Sequence, residues 1–114
     1  MPKQTSVTYS GNTVRVTFRT FTWDDLQASA DTIKTSVYKV EGKELIAIPA
    51  LQNQALDGRR FKETAAGEYQ FFLDTQTLSA GQYNLVFEGT IGGSGFYEPV
   101  PLTIKTLKSE LSGR

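Results

Sequence analysis

The sequence predicts an all-β fold, namely a single antiparallel β-sandwich of about seven strands. Apolar and polar residues alternate with a period of about two along segments 13–21, 69–73 and 83–87, as expected for strands with one buried face. Turn-forming residues recur every ~8–12 positions, which is the usual spacing of sandwich strands. Segment 78–83 joins two of the alternating segments and has the composition of a sandwich corner.

The rest of the chain is organised around the segment from Gly67 to Gly89. Two sets of residues each share one strand face and are expected in the core: Tyr69, Phe71 and Leu73, then Tyr83, Leu85 and Phe87. Between the strands, Leu78 provides an apolar plug and Gly81 tolerates positive φ. Because a corner tyrosine in Greek-key sandwiches binds the corner backbone, we expect the Tyr83 hydroxyl on a backbone group near residues 78–80.

The first half of the chain is predicted to contain strands at Lys3–Tyr9, Thr13–Phe21, Thr32–Val40 and Glu44–Ile48. The clearest alternation places Val14, Val16 and Phe18 on one face of the second of these strands. Thr22 and Asp25 have the spacing of a capping box, so one short helical turn is expected near residues 23–29, over an open end of the sandwich.

The second half is predicted to contain a loop over residues 50–64, the strand–corner–strand segment from Gly67 to Gly89, and a last strand at Phe96–Lys105. A short crossover strand is expected within the loop, near residues 60–62. Pro99 and Pro101 have the same parity, so their missing N–H donors fall on one side of the last strand, as suits a sheet edge. The sandwich is expected to span residues 1–105, with a polar tail at 106–114.

Composition removes several classes of function. The 114 residues include 12 basic and 12 acidic side chains and no histidine or cysteine. Without histidine and cysteine there is no Ser–His–Asp or Cys–His nucleophile, no thiolate metal site and no disulfide framework. Net charge of zero does not favour nucleic-acid binding. No apolar run is long enough to span a membrane, and the polar start, residues 1–6, does not resemble a signal peptide.

Two segments resemble ligand sites but are better explained by structure. Asp24, Asp25 and Asp31 offer too few clustered oxygens for calcium, and their charge suits a helix start. The glycine-rich segment 89–95 lacks the Lys-Ser/Thr of a phosphate-binding loop and leads into a strand, which favours a hairpin loop. No catalytic constellation is visible either, so we expect a protein that is not an enzyme and has no cofactor or metal.

Candidate partner contacts are the aromatic residues not assigned to the core, Trp23, Phe72, Phe96 and Tyr97, together with Leu107 and Leu111 in the tail. Exposed aromatic rings anchor protein partners or stack on sugar rings. The two leucines are four residues apart and would share one helical face. The alternative is structural, with Trp23 covering one end of the core and Phe72 packed under residues 50–64.

The segment from Thr13 to Ile104 resembles immunoglobulin-like domains, of fibronectin type III-like size, in bacteriophage virion proteins and bacterial surface proteins. The residues that carry the resemblance are Gly67–Phe72, the corner Leu78–Tyr83, Glu88–Thr90 and the alternating last strand. The resemblance implies a non-catalytic structural, assembly or adhesion module, either in a phage head, neck, tail or baseplate or on a cell surface. It also implies protein partners and a location in the virion, or in the host cytoplasm before assembly. Zero net charge and exposed sheet edges additionally predict that copies of the chain form homo-oligomers. The alternative function is a carbohydrate-binding module that uses exposed aromatic residues.

Overall fold

A computed structural model describes residues 5–105 and contains eight β-strands and two 3₁₀ turns. The strands are β1 (Thr5–Ser10), β2 (Thr13–Arg19), β3 (Thr32–Glu41), β4 (Glu44–Ala47), β5 (Phe61–Ala65), β6 (Glu68–Asp74), β7 (Gly81–Ile91) and β8 (Ser94–Ile104). The expectations for residues 1–4 and for the tail at 106–114 lie outside the described residues.

The strands form two antiparallel sheets of four strands each, which confirms the predicted β-sandwich. The first sheet has the order β1-β2-β6-β5 and the second has the order β4-β3-β7-β8. The chain changes sheet at residues 20–31, 48–60 and 75–80. The strand count is eight rather than about seven.

The core lies between the sheets and contains every residue of the two predicted sets. Each of those residues is at most 2% exposed, and Val14, Val16 and Phe18 are buried with them. Phe18 and Phe87 stack across the core with ring centroids 4.6 Å apart. Phe61, at the start of β5, was not assigned to the core from sequence, but it pairs with Phe71 and is 1% exposed. Residues 60–62 therefore supply a core strand as well as a crossover.

The corner before β7 has the predicted tyrosine geometry. The Tyr83 hydroxyl donates a hydrogen bond to the Ser79 carbonyl oxygen at 2.7 Å, while its ring is buried. Gly81 has φ of +149°, a value that side-chain-bearing residues rarely adopt. The expected bond between the Tyr83 hydroxyl and residues 78–80 is confirmed.

The strand that precedes Pro49 and the strand that contains Pro99 and Pro101 are both sheet edges, as these prolines indicate. β4 and β8 are the outer strands of the second sheet. The Thr103 N–H donates to the Tyr9 hydroxyl at 3.2 Å, across to the edge of the first sheet. Since Pro99 and Pro101 share the parity of Thr103, their missing donors lie on this open side. Prolines and one tyrosine hydroxyl thus reduce the strand-pairing capacity of the β8 edge.

The helical turns lie elsewhere than the sequence indicates. They occupy Pro49–Leu51 and Thr75–Thr77, whereas residues 23–29 contain no helix. The Thr22 hydroxyl accepts from the Leu26 N–H at 3.3 Å, which is one residue beyond the N–H groups that a helix N-cap side chain binds. The chain then reverses as a hairpin instead of continuing as a helix, because Asp25 adopts positive φ.

Candidate functional site

Three connections meet at one end of the sandwich, here called the loop end: residues 20–31, 66–67 and 92–93. The Thr20 N–H donates to the Gly67 carbonyl oxygen at 2.9 Å, which joins the first connection to the second. The Gly93 N–H lies 3.4 Å from Asp31 Oδ2, which joins the first to the third. The arrangement gathers chain from both sheets into one surface, as in other sandwiches whose end loops bind partners.

The glycine-rich segment 89–95 forms a tight hairpin, as predicted. β7 and β8 continue to Ile91 and Ser94, so the turn itself is only Gly92 and Gly93, with φ of +58° and +82°. Two successive positive φ values are the mark of a type I′ turn. Most backbone groups of this segment therefore take part in strand pairing and do not form a phosphate-binding loop.

Within the loop end, residues 20–28 form a small projecting hairpin, here called the tip hairpin. Thr20 and Ala28 pair through the Ala28 N–H at 3.1 Å, and the Thr22 N–H donates to the Leu26 carbonyl oxygen at 2.8 Å. The Asp25 N–H closes the turn on the Thr22 carbonyl oxygen at 2.9 Å, and Asp25 has φ of +64°. A three-residue loop that ends in a left-handed residue is a standard hairpin connection. Trp23 occupies the first position of that loop.

The tip hairpin is fastened to the body of the sandwich by contacts distant in sequence. The Gln27 side-chain amide donates to the Ala66 carbonyl oxygen at 3.1 Å. The Ala30 N–H donates to the hydroxyl of Tyr69, a core residue, at 2.8 Å. Burial raises the pKa of the Tyr69 hydroxyl, which keeps it neutral as an acceptor. The base of the tip hairpin is thus held by core and turn groups together.

Glu63 adds an electrostatic fastening between the same elements. Its carboxylate accepts hydrogen bonds from the Ser29 hydroxyl and, at 3.1 Å, from the Gly67 N–H. These bonds, with that from Ser29 the larger contribution, lower the pKa of Glu63 below its ordinary value of 4.5. The ionised form of Glu63 therefore links Ser29, the residue directly after the tip hairpin, to the β5–β6 turn.

Gly67 makes the close approach of these two loops possible. A Cβ atom at this position would lie 2.7 Å from the Ala28 carbonyl oxygen, and Gly67 has φ of +80°. Both conditions exclude a side chain without movement of the tip hairpin. Gly67 is thus required by the packing of the loop end as well as by the β5–β6 turn in which it lies.

The tip hairpin presents apolar side chains to solvent. Trp23 is 96% exposed and Leu26 is 62% exposed. The structural alternative for Trp23, that it covers the end of the core, is therefore wrong, because its ring projects away from the sandwich. Segment 20–31 contains three aspartates and no lysine or arginine, so the charged residues next to the apolar tip along the chain are all acidic.

The aspartates of this segment do not converge. Asp24 accepts from the Thr22 hydroxyl, and Asp31 faces the Gly93 N–H. Across residues 5–105, the His, Cys, Asp and Glu side chains form no group of three or more that could hold a metal ion. The same residues include no helix long and apolar enough to cross a bilayer.

The other predicted contact residues are dispersed, so the four aromatic residues do not form one cluster. Phe96 is partly buried on the core, with its ring centroid 5.6 Å from that of Phe18. Tyr97 is 60% exposed and pairs with Glu88 in the second sheet. Leu107 and Leu111 lie outside the described residues. Trp23 and Tyr97 are the predicted aromatic contacts that are largely open to solvent.

Phe72 lies in an open groove at the opposite end of the first sheet, here called the basic groove. The groove is lined by Asn12, Thr13, Asp57, Arg59, Arg60, Phe72, Asp74 and Gln76. Lys62 Nζ lies 5.4 Å from the Phe72 ring centroid, and the Phe72 N–H donates to the Arg60 carbonyl oxygen at 2.8 Å. The contacts of Phe72 with Arg60 and Lys62 partly agree with the alternative that Phe72 packs under residues 50–64.

Sequence reasoning missed Leu26 and the arginines of the basic groove as surface features. The sequence does indicate these two surfaces through the separation of charge along the chain. Segment 20–31 carries only negative charge, whereas segment 57–62 carries three cations and one aspartate. The groove itself depends on β6 lying beside β5, which is not readable from either segment alone.

Comparisons with protein-family models, with curated proteins and with solved structures give no match to this chain.

Proposed function

We propose that this chain is a non-catalytic binding module that docks onto a protein partner through its loop end. The observation that carries the proposal is Trp23, 96% exposed at the turn of a hairpin whose backbone is fixed by hydrogen bonds. Tryptophan is among the residues most enriched at the energetic centres of protein interfaces. Within residues 5–105 the ring buries almost none of its surface, so packing of the fold does not account for a tryptophan at this position.

The rigidity of the tip hairpin favours binding energetically. A contact residue on a mobile loop loses conformational freedom on binding, which costs about 0.5–1.5 kcal/mol for each immobilised side chain, besides the loop ordering. The Thr20–Ala28 and Thr22–Leu26 pairs already hold the turn in one conformation. Most of the ordering cost is therefore met on folding rather than on binding.

The proposal extends to an immunoglobulin-like structural or assembly component of a phage virion or a bacterial surface. Support for the fold family comes from the strand order, in which the first, second, sixth and fifth strands form one sheet, and from the corner tyrosine Tyr83. The virion or surface setting is supported by the sequence resemblance. Such assemblies need folded spacer domains that carry a binding surface at one end.

The test is light scattering with size-exclusion chromatography on the chain mixed with purified proteins encoded by neighbouring genes. A complex is expected, and Trp23→Ala should weaken it by about 2 kcal/mol or more, as for an interface centre. Leu45→Ala is the matched control, because Leu45 is 49% exposed on β4, outside the loop end. Equal binding by wild type and Trp23→Ala would refute the role of the tip hairpin.

The second candidate is carbohydrate binding, favoured by the same exposed indole ring. Trp23 is the only tryptophan, so its fluorescence reports directly on the tip hairpin. A glycan array followed by fluorescence titration separates the two functions. Saturable quenching by a sugar, lost in Leu26→Ala but kept in Leu45→Ala, would favour the carbohydrate-binding module over the protein-binding one.

A further inference from the structure

We propose that the partner of the tip hairpin is a second copy of this chain, and that Trp23 docks into the basic groove of that copy. This inference rests on the proposed function, since it names the occupant of the same docking surface. Each copy would present its loop end to the groove of the next, which makes the contact heterologous, or head-to-tail. The observations that carry it are the complementary charge and apolar character of two surfaces of one molecule and their positions in the fold.

The tip hairpin is an apolar projection with an acidic border. Trp23 and Leu26 are exposed at its turn, and Asp24 and Asp25 lie between them in the chain, both exposed. Its nearest acidic neighbour along the chain is Asp31, again with no basic residue between. A partner surface for such a tip needs an apolar floor and cations around it.

The basic groove has those features. Its floor includes the Phe72 ring, partly exposed, with Lys62 beside it. Arg59 and Arg60 line the groove and are exposed, and Arg15 pairs directly with Phe72 on the neighbouring strand. The ion pairs among the described residues join Arg19 to Glu68, Lys34 to Glu88 and Lys39 to Glu41, so none engages these four cations.

The two aspartates of the groove are engaged by its own backbone. Asp57 Oδ1 accepts from the N–H groups of Arg59 and Phe61, at 2.8 and 3.0 Å. These bonds, with that from Phe61 the larger contribution, lower the pKa of Asp57. Asp74 Oδ1 accepts from the Gln76 N–H at 2.9 Å. The carboxylates thus serve turn geometry. Arg59 and Arg60 match the two aspartates in number, and Lys62 beside the Phe72 ring gives the cations an excess of one, while the Arg15 guanidinium donates to the Thr8 hydroxyl on β1.

The positions of the two surfaces fit a head-to-tail contact. The tip hairpin follows the end of β2 at Arg19, whereas the basic groove includes Thr13, where β2 begins. The two surfaces therefore lie towards opposite ends of the same strand. Such a contact leaves a free tip at one end of a dimer and a free groove at the other, so association continues to longer chains or closes into a ring. Zero net charge removes long-range repulsion between copies.

Sedimentation velocity over micromolar to millimolar concentrations tests the inference, with one variant for each surface. Trp23→Lys alters the tip at a side chain that is 96% exposed, and the double variant Arg59→Glu, Arg60→Glu reverses the groove. Wild type should self-associate, and less so as salt is raised, because exposed charges are screened. Each variant should lower the association constant by about tenfold or more.

Mixing the two variants gives the decisive result. The intact tip of the groove variant can bind the intact groove of the tip variant, so the mixture should form a one-to-one dimer that grows no further. Leu45→Lys and the double variant Lys43→Glu, Lys105→Glu are the matched controls and should associate as wild type does, since these side chains are exposed and lie outside both surfaces. Far-UV circular dichroism and thermal melts verify that each variant is folded.

A wild type that stays monomeric throughout this range, or a mixture that forms no dimer, would overturn the inference. Should either variant fail to fold, the neutral changes Trp23→Ala and Arg60→Gln repeat the same mixing experiment. Monomeric wild type combined with Trp23-dependent binding of a neighbouring gene product would leave the proposed function standing and remove only the second copy as its partner.

Discussion

Two buried tyrosines fasten the two ends of this sandwich, and they do so in different ways. Tyr83 donates its hydroxyl to the Ser79 carbonyl oxygen, four residues away. Tyr69 accepts from the Ala30 N–H, 39 residues away. Both rings belong to the core, at 2% and 1% exposure respectively. One end is thus closed by a local motif, and the other is assembled from segments distant in the chain.

The difference shows where specific function can be placed on such a fold. The corner near Tyr83 is held by a hydrogen bond between two of its own residues, and none of residues 78–83 is a largely exposed apolar residue. The loop end, by contrast, uses Gly67, Glu63 and Tyr69 to hold a hairpin that buries none of its tip. Long-range fastening lets the loop end vary in sequence at Trp23 without loss of the fold, which is the property a binding surface requires.

The largest effect should come from removing the core on which both ends rest. Phe71→Ala is expected to cost about 3–5 kcal/mol, from lost burial and the cavity left behind. Phe72→Ala, one residue along, should cost less than half as much, because its ring lies outside the core in the basic groove. Chemical denaturation measures both. Equal losses would contradict the assignment of these two faces of β6.

Gly67→Ala should weaken the loop end selectively. The added Cβ meets the Ala28 backbone and the residue must hold φ of +80°, so we expect a loss of about 2–3 kcal/mol. Gly42→Ala is the control, since Gly42 has φ of +63° with nothing within 4 Å of the added atom. Its cost should be only about 1 kcal/mol, from strain alone. If the two variants unfold at the same denaturant concentration, the close packing of Gly67 on the tip hairpin is not real.

The two tyrosine hydroxyls can be compared directly. Tyr83→Phe and Tyr69→Phe should each lose about 1–2 kcal/mol, because each removes one hydrogen bond from a partly buried backbone group. Amide hydrogen exchange should then separate them, with Ala30 exchanging faster in Tyr69→Phe and unchanged in Tyr83→Phe. Faster exchange at Ala30 in both variants would mean that the two ends are not independent.

The same contrast explains how far the sequence could be interpreted. The sandwich, its core sets, the edges marked by Pro49, Pro99 and Pro101, and the Tyr83 corner follow from alternation and local turn chemistry. The tip hairpin could not be predicted, because the capping-box spacing of Thr22 and Asp25 is overridden by the hydrogen bond from Thr20 to Gly67 and by the left-handed conformation of Asp25. The groove was equally hidden, since Phe72 meets Lys62 only through the β5–β6 pairing.

A smaller effect is expected from acid. The folded-state pKa of Glu63 lies below its ordinary value of 4.5, so its contribution is present above that value and is lost as pH falls through the folded-state pKa. Hydrogen exchange at the Gly67 N–H should therefore quicken as pH drops through this window, beyond the intrinsic pH dependence of exchange. Glu63→Gln should lack the extra acceleration. An identical pH profile in both proteins would remove Glu63 from the fastening of the loop end.

The central claim, a rigid tip hairpin that holds an exposed Trp23, is tested most directly by the fluorescence of this single tryptophan in dilute, monomeric protein. Acrylamide should quench it almost as efficiently as a free tryptophan derivative, because the side chain is 96% exposed. Its time-resolved anisotropy should decay mainly with the tumbling of the whole domain, because the hairpin backbone is fixed. Strong protection from acrylamide, or a decay dominated by fast local motion of the segment, would contradict the account.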